Sequence, residues 1–202
     1  KLNQAYQYKL DLVNIEDDMA KVKLLVPSHQ YADSIEFHFP KIVPGTYSVY
    51  DFGRYIYDFS AEDSKGKSLN VKRLDQNRWR IYQPEDLFEI SYLVEDTYDS
   101  NKDTTVFEPA ATDIKEGEVY LINTFGFFGY LKSLKRRPFD LNITKPDNFY
   151  GATPLQALVE TAKKDRFLSV DYYELIDSPI MYTIPDTASL YLGETKVMVS
   201  IY

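Results

Sequence analysis

Apolar and polar residues alternate with a period of two along most of this chain, and that period belongs to half-buried β-strands. At the start, Tyr6, Tyr8, Leu10 and Leu12 share one face while Gln7, Lys9 and Asp11 share the other. The acidic run Glu16, Asp17 and Asp18 reads as a turn, and Val22, Leu24 and Val26 then fall together on a returning strand, so a hairpin is expected. The same alternation turns Ile35, Phe37 and Phe39 inward, aligns Trp79 with Ile81, and aligns Phe88 with Ile90, Tyr92 and Val94. Further strands are expected over 118–123, 139–143 and 196–201, and Gly66 supplies a permissive turn between strands. The fold class is therefore mainly all-β, a sandwich of antiparallel strands.

Helix is expected only near 153–177. Thr153 can cap, Pro154 suits the first helical position, and Leu155, Leu158 and Val159 form a stripe, which predicts a helix over 153–164. Residues 171–177 predict a turn or two of helix that ends before Pro179. Residues 97–117 read as a long polar excursion. No shift in composition divides the chain, so residues 1–202 are expected to form one domain. The chain begins at Lys1, and the expectation drawn from this is a removed leader and a place outside the cytoplasm. The apolar strand pattern at 195–202 is expected to run on into further polypeptide.

Chemistry is limited by what the chain holds. The net charge of −8 argues against a nucleic-acid partner, because phosphate binding needs a basic stripe. The short basic cluster from Lys132 to Arg137 is expected to solvate a loop. There is no cysteine, which removes disulfides, thiolate metal sites and a thiol nucleophile. No apolar run approaches the roughly 20 residues that span a bilayer. His29 and His38 are the only histidines, too few for a convincing zinc site, and each is expected to be exposed. Ser178 reads as a turn residue whose hydroxyl bonds local backbone. Asp51, Asp58, Asp171 and Asp177 lie among aromatics and are the candidates for a catalytic carboxylate pair, although acids this common usually solvate loops and cap helices. The segment 126–130 is not a phosphate loop. With 18 tyrosines and 12 phenylalanines, the strands suit a sandwich core or, alternatively, a stand-alone module that binds a glycan or peptide on its tyrosine-rich strands.

Two ordered motifs point further. The first comprises Phe39, Pro40, Pro44, Gly45, Thr46, Tyr47, Asp51, Phe52, Gly53, Arg54, Phe59, Ala61, Gly66, Arg73, Asp75 and Trp79. The second comprises Phe167, Asp171, Tyr172, Leu175, Asp177, Ser178 and Pro179. Together they resemble the N-terminal domain of the M61 peptidases, the glycyl aminopeptidase family. Tyr50 departs from the family pattern, where an arginine is common, and so does Glu174 after Tyr173. The resemblance implies a zinc metallopeptidase whose metal ligands lie in a thermolysin-like catalytic domain that follows the β-domain. It transfers no catalytic, cofactor or metal residue to this chain, which by itself is expected to be inactive. It implies the polypeptide's own catalytic domain as partner, and a peptide as a further ligand. Tyr47, Tyr50, Asp51, Arg54, Tyr55, Asp171, Tyr172, Asp177 and Ser178 are then the candidates for the interface or cleft wall.

Overall fold

Asp17 and Asp18 both adopt positive φ, 51° and 55°, and turn the chain between the first two strands. A tight hairpin turn asks for that conformation, and aspartate tolerates it. The computed structural model describes residues 4–29, 32–98 and 106–201. Its first strands are β1 (Tyr6–Glu16), β2 (Met19–Leu25), β3 (Ser34–His38), β4 (Ile56–Asp63), β5 (Val71–Arg73), β6 (Arg78–Tyr82) and β7 (Leu87–Glu95). There follow β8 (Asp113–Lys115), β9 (Val119–Ile122), helix α1 (Thr124–Phe127), β10 (Tyr130–Leu131), β11 (Phe139–Thr144), β12 (Tyr150–Ala152), β13 (Gln156–Glu160) and β14 (Lys164–Ser169). Helix α2 (Tyr172–Ile176), β15 (Ile180–Thr183), β16 (Asp186–Leu192) and β17 (Thr195–Ile201) complete the chain.

A seven-stranded sheet runs in the order β13-β14-β11-β1-β2-β7-β4. Two four-stranded sheets, β10-β3-β6-β5 and β12-β15-β9-β8, accompany it, and among the described residues β16 pairs only with β17. One core joins the three larger sheets. Tyr6, Tyr8, Leu10, Val22, Ile90 and Tyr92 of the large sheet pack with Ile35, Phe37 and Trp79 of the second and with Tyr120, Ile122 and Tyr182 of the third. This is the layering of a sandwich. The Tyr92 ring lies parallel to Phe59 at 6.0 Å and edge-on to Phe39 at 5.5 Å. The buried Tyr8 hydroxyl donates to the Gly129 carbonyl at 2.7 Å, and that of Tyr92 donates to Phe127 at 2.8 Å. So much tyrosine can be core because these hydroxyls find backbone acceptors. Burial pushes both hydroxyls well above the usual tyrosine range.

Four local expectations need correction. β1 and β11 pair in parallel, from Tyr6 with Phe139 to Asp11 with Thr144, so the large sheet is not wholly antiparallel. The helix expected over 153–164 is absent, and β13 and β14 form a hairpin there instead. Pairing of Ala157 with Phe167 and of Val159 with Arg166 overrides local propensity, and the turn is closed by Thr161, whose hydroxyl donates to the Lys164 carbonyl at 2.8 Å. Leu158 and Val159 of the supposed stripe are exposed. Phe88 is also exposed, and Leu87 is buried in its place, because the β4–β7 register shifts between Glu62 and Asp63 where β7 begins. In the expected 97–117 excursion, the described part is not simply a polar loop: Thr97, Val106, Ala110 and Thr112 are buried, and β8 joins a sheet.

Candidate functional site

Val43, Pro44, Gly45 and Thr46 from the first quarter of the chain, and Tyr173, Ile176, Asp177 and Pro179 from far downstream, line one cleft of about 500 Å³. Each stretch has a local reason to be there. In the first, Thr46 donates its backbone N–H to the Val43 carbonyl at 3.3 Å and its hydroxyl to the same oxygen at 2.8 Å. Pro44 and Gly45 occupy the two central positions of that turn, and Gly45 has φ +88°, the conformation glycine takes without cost. Tyr47 follows at φ 58° and is 93% exposed, so this ring projects into solvent beside the turn.

Asp51 starts a short 3-10 turn, Phe52–Tyr55, at φ 52°. Its carboxylate accepts the Asn77 amide at 2.6 Å, and the Asn77 side-chain oxygen accepts the Gly53 N–H at 3.0 Å. Arg73 donates to the Gly53 carbonyl at 2.9 Å while its guanidinium lies 4.8 Å from the Trp79 ring centre. Arg54 donates to the Tyr55 hydroxyl at 2.7 Å. Asp51 and Arg54 thus hold the loop in shape and do not line the cleft. Tyr50 and Tyr55 do not line it either. They are buried in a second apolar cluster with Val43, Phe52, Ala110 and Phe125, against which Ile176 packs. Because Val43, Ala110, Phe125 and Ile176 also line the cleft, Tyr50 and Tyr55 support its floor from behind.

The second stretch is set by helix α2. Asp171 caps it, accepting the N–H groups of Tyr173 at 2.9 Å and Glu174 at 3.1 Å, and Arg136 binds the same carboxylate at 2.9 Å. Burial alone would raise the Asp171 pKa, but the Glu174 N–H, Arg136 and the Tyr173 N–H together bring it below the usual value. The Glu174 carboxylate accepts the Val170 N–H at 2.6 Å and so holds the segment that enters the helix. Tyr172 points into the main core, 4.3 Å ring to ring from Tyr130. Ser178 donates its hydroxyl to the Glu174 carbonyl at 2.8 Å, the local role its sequence context predicts. Thr124 of α1 donates to the Leu175 carbonyl and ties the two helices together. Of the nine candidate residues, only Asp177 lines the cleft. It is exposed and is the one charged side chain among the residues described there. Phe107, Pro109, Asn123 and Phe125 complete the lining, and no motif marks them in the sequence.

Asp51, Asp58 and Asp171 stand off the cleft, so the four candidate acids do not form a pair across it. The basic cluster does more than solvate a loop. Lys135 lies 4.2 Å from the Tyr130 ring centre, and Arg136 lies 4.5 Å from that of Tyr173. His29 is exposed, as expected. His38 is not: its side chain is 14% exposed and its Nε2 lies 3.1 Å from Glu36, which also accepts from Arg80 at 2.7 Å. Burial lowers the His38 pKa and Glu36 only partly offsets this, while the Arg80 hydrogen bond lowers that of Glu36. Among the described residues there is no group of three or more His, Asp or Glu side chains placed to hold a metal ion. No helix among them is long and apolar enough to cross a membrane.

A family model described as the peptidase M61 N-terminal domain matches residues 7–184. No curated protein matches the chain by sequence. Among solved structures, an aminopeptidase N family protein from Idiomarina loihiensis is similar over 96% of this chain at 18% identity and a TM-score of 0.82. An M1 zinc metallopeptidase from Deinococcus radiodurans is similar over 96% of this chain at 12% identity and a TM-score of 0.52. At these identities the likeness is one of fold. The chain spans only 32% of the first structure and 46% of the second. The zinc named for the second has no fitting ligand set among the described residues of this chain.

Proposed function

The chain belongs to the peptidase M61 N-terminal domain family, and from that premise we propose that it is the non-catalytic β-domain of a zinc aminopeptidase, packing on a catalytic domain and walling part of its substrate cleft. The observation that carries this reading is the meeting of the two motifs at one cleft. Pro44–Thr46 comes from the first motif and Asp177–Pro179 from the second, and nothing in either segment's local hydrogen bonding needs the other. The wall they build is apolar with a single carboxylate, Asp177. Such a surface suits a peptide end, where an apolar side chain and an amine lie close together. The zinc and the groups that activate water would belong to the following domain.

The alternative, a module that binds a glycan or peptide on tyrosine-rich strands, is the weaker reading, because the exposed rings Tyr47, Tyr57, Tyr173 and Tyr191 are scattered over different segments while the tyrosines of the large strands face the core. Tyr6, Tyr8, Tyr92, Tyr120 and Tyr182 are all buried.

The test uses the full-length polypeptide and the isolated chain with Gly- and Ala-terminated peptides and zinc. The full-length protein is expected to release the N-terminal residue, and the isolated chain to release none. In the full-length protein, Asp177→Asn is expected to raise KM several-fold with kcat nearly unchanged, the mark of lost uniform binding. Turnover by the isolated chain would overturn the reading.

A further inference from the structure

The outer face of the large sheet carries a charge imbalance that the core does not explain. On β14, β11, β1 and β2 the residues that alternate with the buried ones include Lys9, Lys21, Lys23, Lys164 and Arg166, against the carboxylates of Asp11 and Asp140. This excess of cations sits on a chain whose net charge is −8. Lys9 and Lys23 stand directly opposite each other in the β1–β2 register, an arrangement of like charges that costs stability. Glu89 relieves Lys23 at 3.2 Å. Asp11 turns to its own loop, where it accepts the Val13 N–H at 2.9 Å and the Asn14 amide at 2.7 Å. Among the described residues no carboxylate pairs with Lys9 or Lys164.

Lys9, Lys164 and Arg166 meet at one pocket of about 460 Å³, and the pocket is built around a fixed guanidinium. Asp140, its side chain 3% exposed, accepts Arg166 Nε at 2.8 Å and Nη2 at 2.6 Å. One edge of the guanidinium is thereby clamped, and the edge carrying Nη1 has no partner among the described residues. Arg166 pairs with Asn142 and Asn142 with Lys9, so the two cations flank Asn142 two strand spacings apart, roughly 10 Å, a gap that two long side chains can close from either side. Lys164 and Thr144 are the next pair on the same face and line the same pocket. Asp165 also lines it, but its carboxylate serves Lys145 and Tyr182. Lys9, Lys164 and Arg166 against Asp140 leave two positive charges unmatched. A phosphate monoester answers that count with a charge near −2 and three terminal oxygens, where a carboxylate has two oxygens and one charge. A guanidinium edge is also shaped for bidentate contact with such an oxyanion. We propose that this pocket binds the phosphoryl group of a small soluble phosphate ester, held between Arg166 and Lys164 on one side and Lys9 on the other. The cavity has the size of a small-molecule site, and Leu25 and Val159 supply apolar surface for the organic part. The inference is independent of the peptidase reading, because the pocket shares no residue with the cleft.

The test is calorimetric titration of the protein with inorganic phosphate, phenyl phosphate and succinate near neutral pH, at an ionic strength held constant with sodium chloride. Arg166 is left in place, because its removal would strand the buried Asp140. Both phosphates are expected to bind, phenyl phosphate the more tightly because its ring meets Leu25 and Val159, and succinate on the order of tenfold more weakly than inorganic phosphate. Lys9→Gln and Lys164→Gln are each expected to weaken phosphate binding roughly tenfold, the cost of one charged hydrogen bond. Lys67→Gln removes the same charge in the turn after the edge strand β4 and is expected to leave binding unchanged. A titration with phosphate that matches one with chloride overturns the proposal. So does an equal loss in Lys67→Gln, which would reduce the effect to a general field, or succinate that binds as tightly as phosphate. Association with phosphatidic acid vesicles by a protein that ignores both soluble phosphates also overturns it, and assigns the face to a membrane surface.

Discussion

Lys145 and Asp165 form an ion pair of 2.8 Å whose side chains are 6% and 1% exposed. The same Asp165 oxygen accepts the Tyr182 hydroxyl at 3.0 Å, so a cation, an anion and a phenol share one site beneath β11 and β14. A pair of charges taken out of water is an uncertain source of net stability, but removing one partner strands the other. Lys145→Met is therefore expected to destabilise the domain by about 3–5 kcal/mol in urea unfolding. The double variant Lys145→Met with Asp165→Leu is expected to recover most of that loss. A single variant within about 1 kcal/mol of the parent would mean that water reaches the pair and screens the stranded charge.

Stability should fall on mild acidification, and His38 should set the first stage. Its folded pKa lies below the usual 6.5, chiefly through burial, with Glu36 opposing and Lys132 and Arg78 adding to the depression. The unfolded chain then binds the proton first, so stability is full above pH 6.5 and declines as pH falls through the folded value. Glu36 sets a second stage. Its pKa is held below 4.5, first by the Arg80 hydrogen bond, so its contribution is present above pH 4.5 and is lost below it. Melting temperature recorded from pH 7.5 to pH 3.5 should show both stages, and His38→Gln should flatten the upper one while moving the lower one only slightly, since Arg80 remains the main partner of Glu36. An unchanged upper stage in that variant would assign it to another group.

Most of the strand pattern was legible in the residues because the core is one-sided. Tyr6, Tyr8, Leu10 and Leu12 are buried together, as their alternation predicts. What failed depended on partners distant in sequence. Residues 156–160 have a helical stripe, yet they are strand because β14 offers an edge to pair with. α1 has no signal of its own beyond a buried aromatic run, and Thr124 fixes it through a residue of α2. The site shows the same division. The motifs pointed to both cleft segments, but most of their conspicuous residues serve the backbone: Asp51 binds Asn77, Asp171 caps α2, and Ser178 bonds Glu174. The side chains that shape the cleft surface, such as Phe107 and Phe125, are unremarked in sequence because only the fold gathers them.

Tyr172 offers a test of what a buried hydroxyl costs. Its oxygen is buried with no hydrogen-bond partner among the described residues, and burial pushes its pKa well above the usual value. Tyr172→Phe keeps the ring against Tyr130 and Phe139 and removes only the stranded group. It is expected to stabilise the domain by about 1 kcal/mol, whereas Tyr8→Phe, which loses a bond to Gly129, is expected to cost about as much. Both are read from denaturant midpoints at constant slope. A destabilised Tyr172→Phe would reveal a partner for that oxygen.

Two glycines of the first motif should respond to alanine by different amounts, because they are glycine for different reasons. At Gly45 an added Cβ meets nothing within 4 Å, and only the +88° φ opposes it. The expected loss is about 1–2 kcal/mol, the cost of a left-handed backbone for an L-residue. At Gly53 the same Cβ would collide with the Gln76 carbonyl oxygen and stand 2.7 Å from the Asn77 Cα. Both are backbone atoms, so the loop must move, and moving it breaks the Asn77 bonds to Gly53 and Asp51. The loss of two hydrogen bonds, roughly 1 kcal/mol each, adds to an overpacking cost of about 1–3 kcal/mol, so Gly53→Ala is expected to be the more damaging of the two. Equal melting temperatures for the two variants would mean that the Asp51–Asn77–Gly53 link does not hold the loop, and that these motif residues are kept for something other than the shape of the backbone.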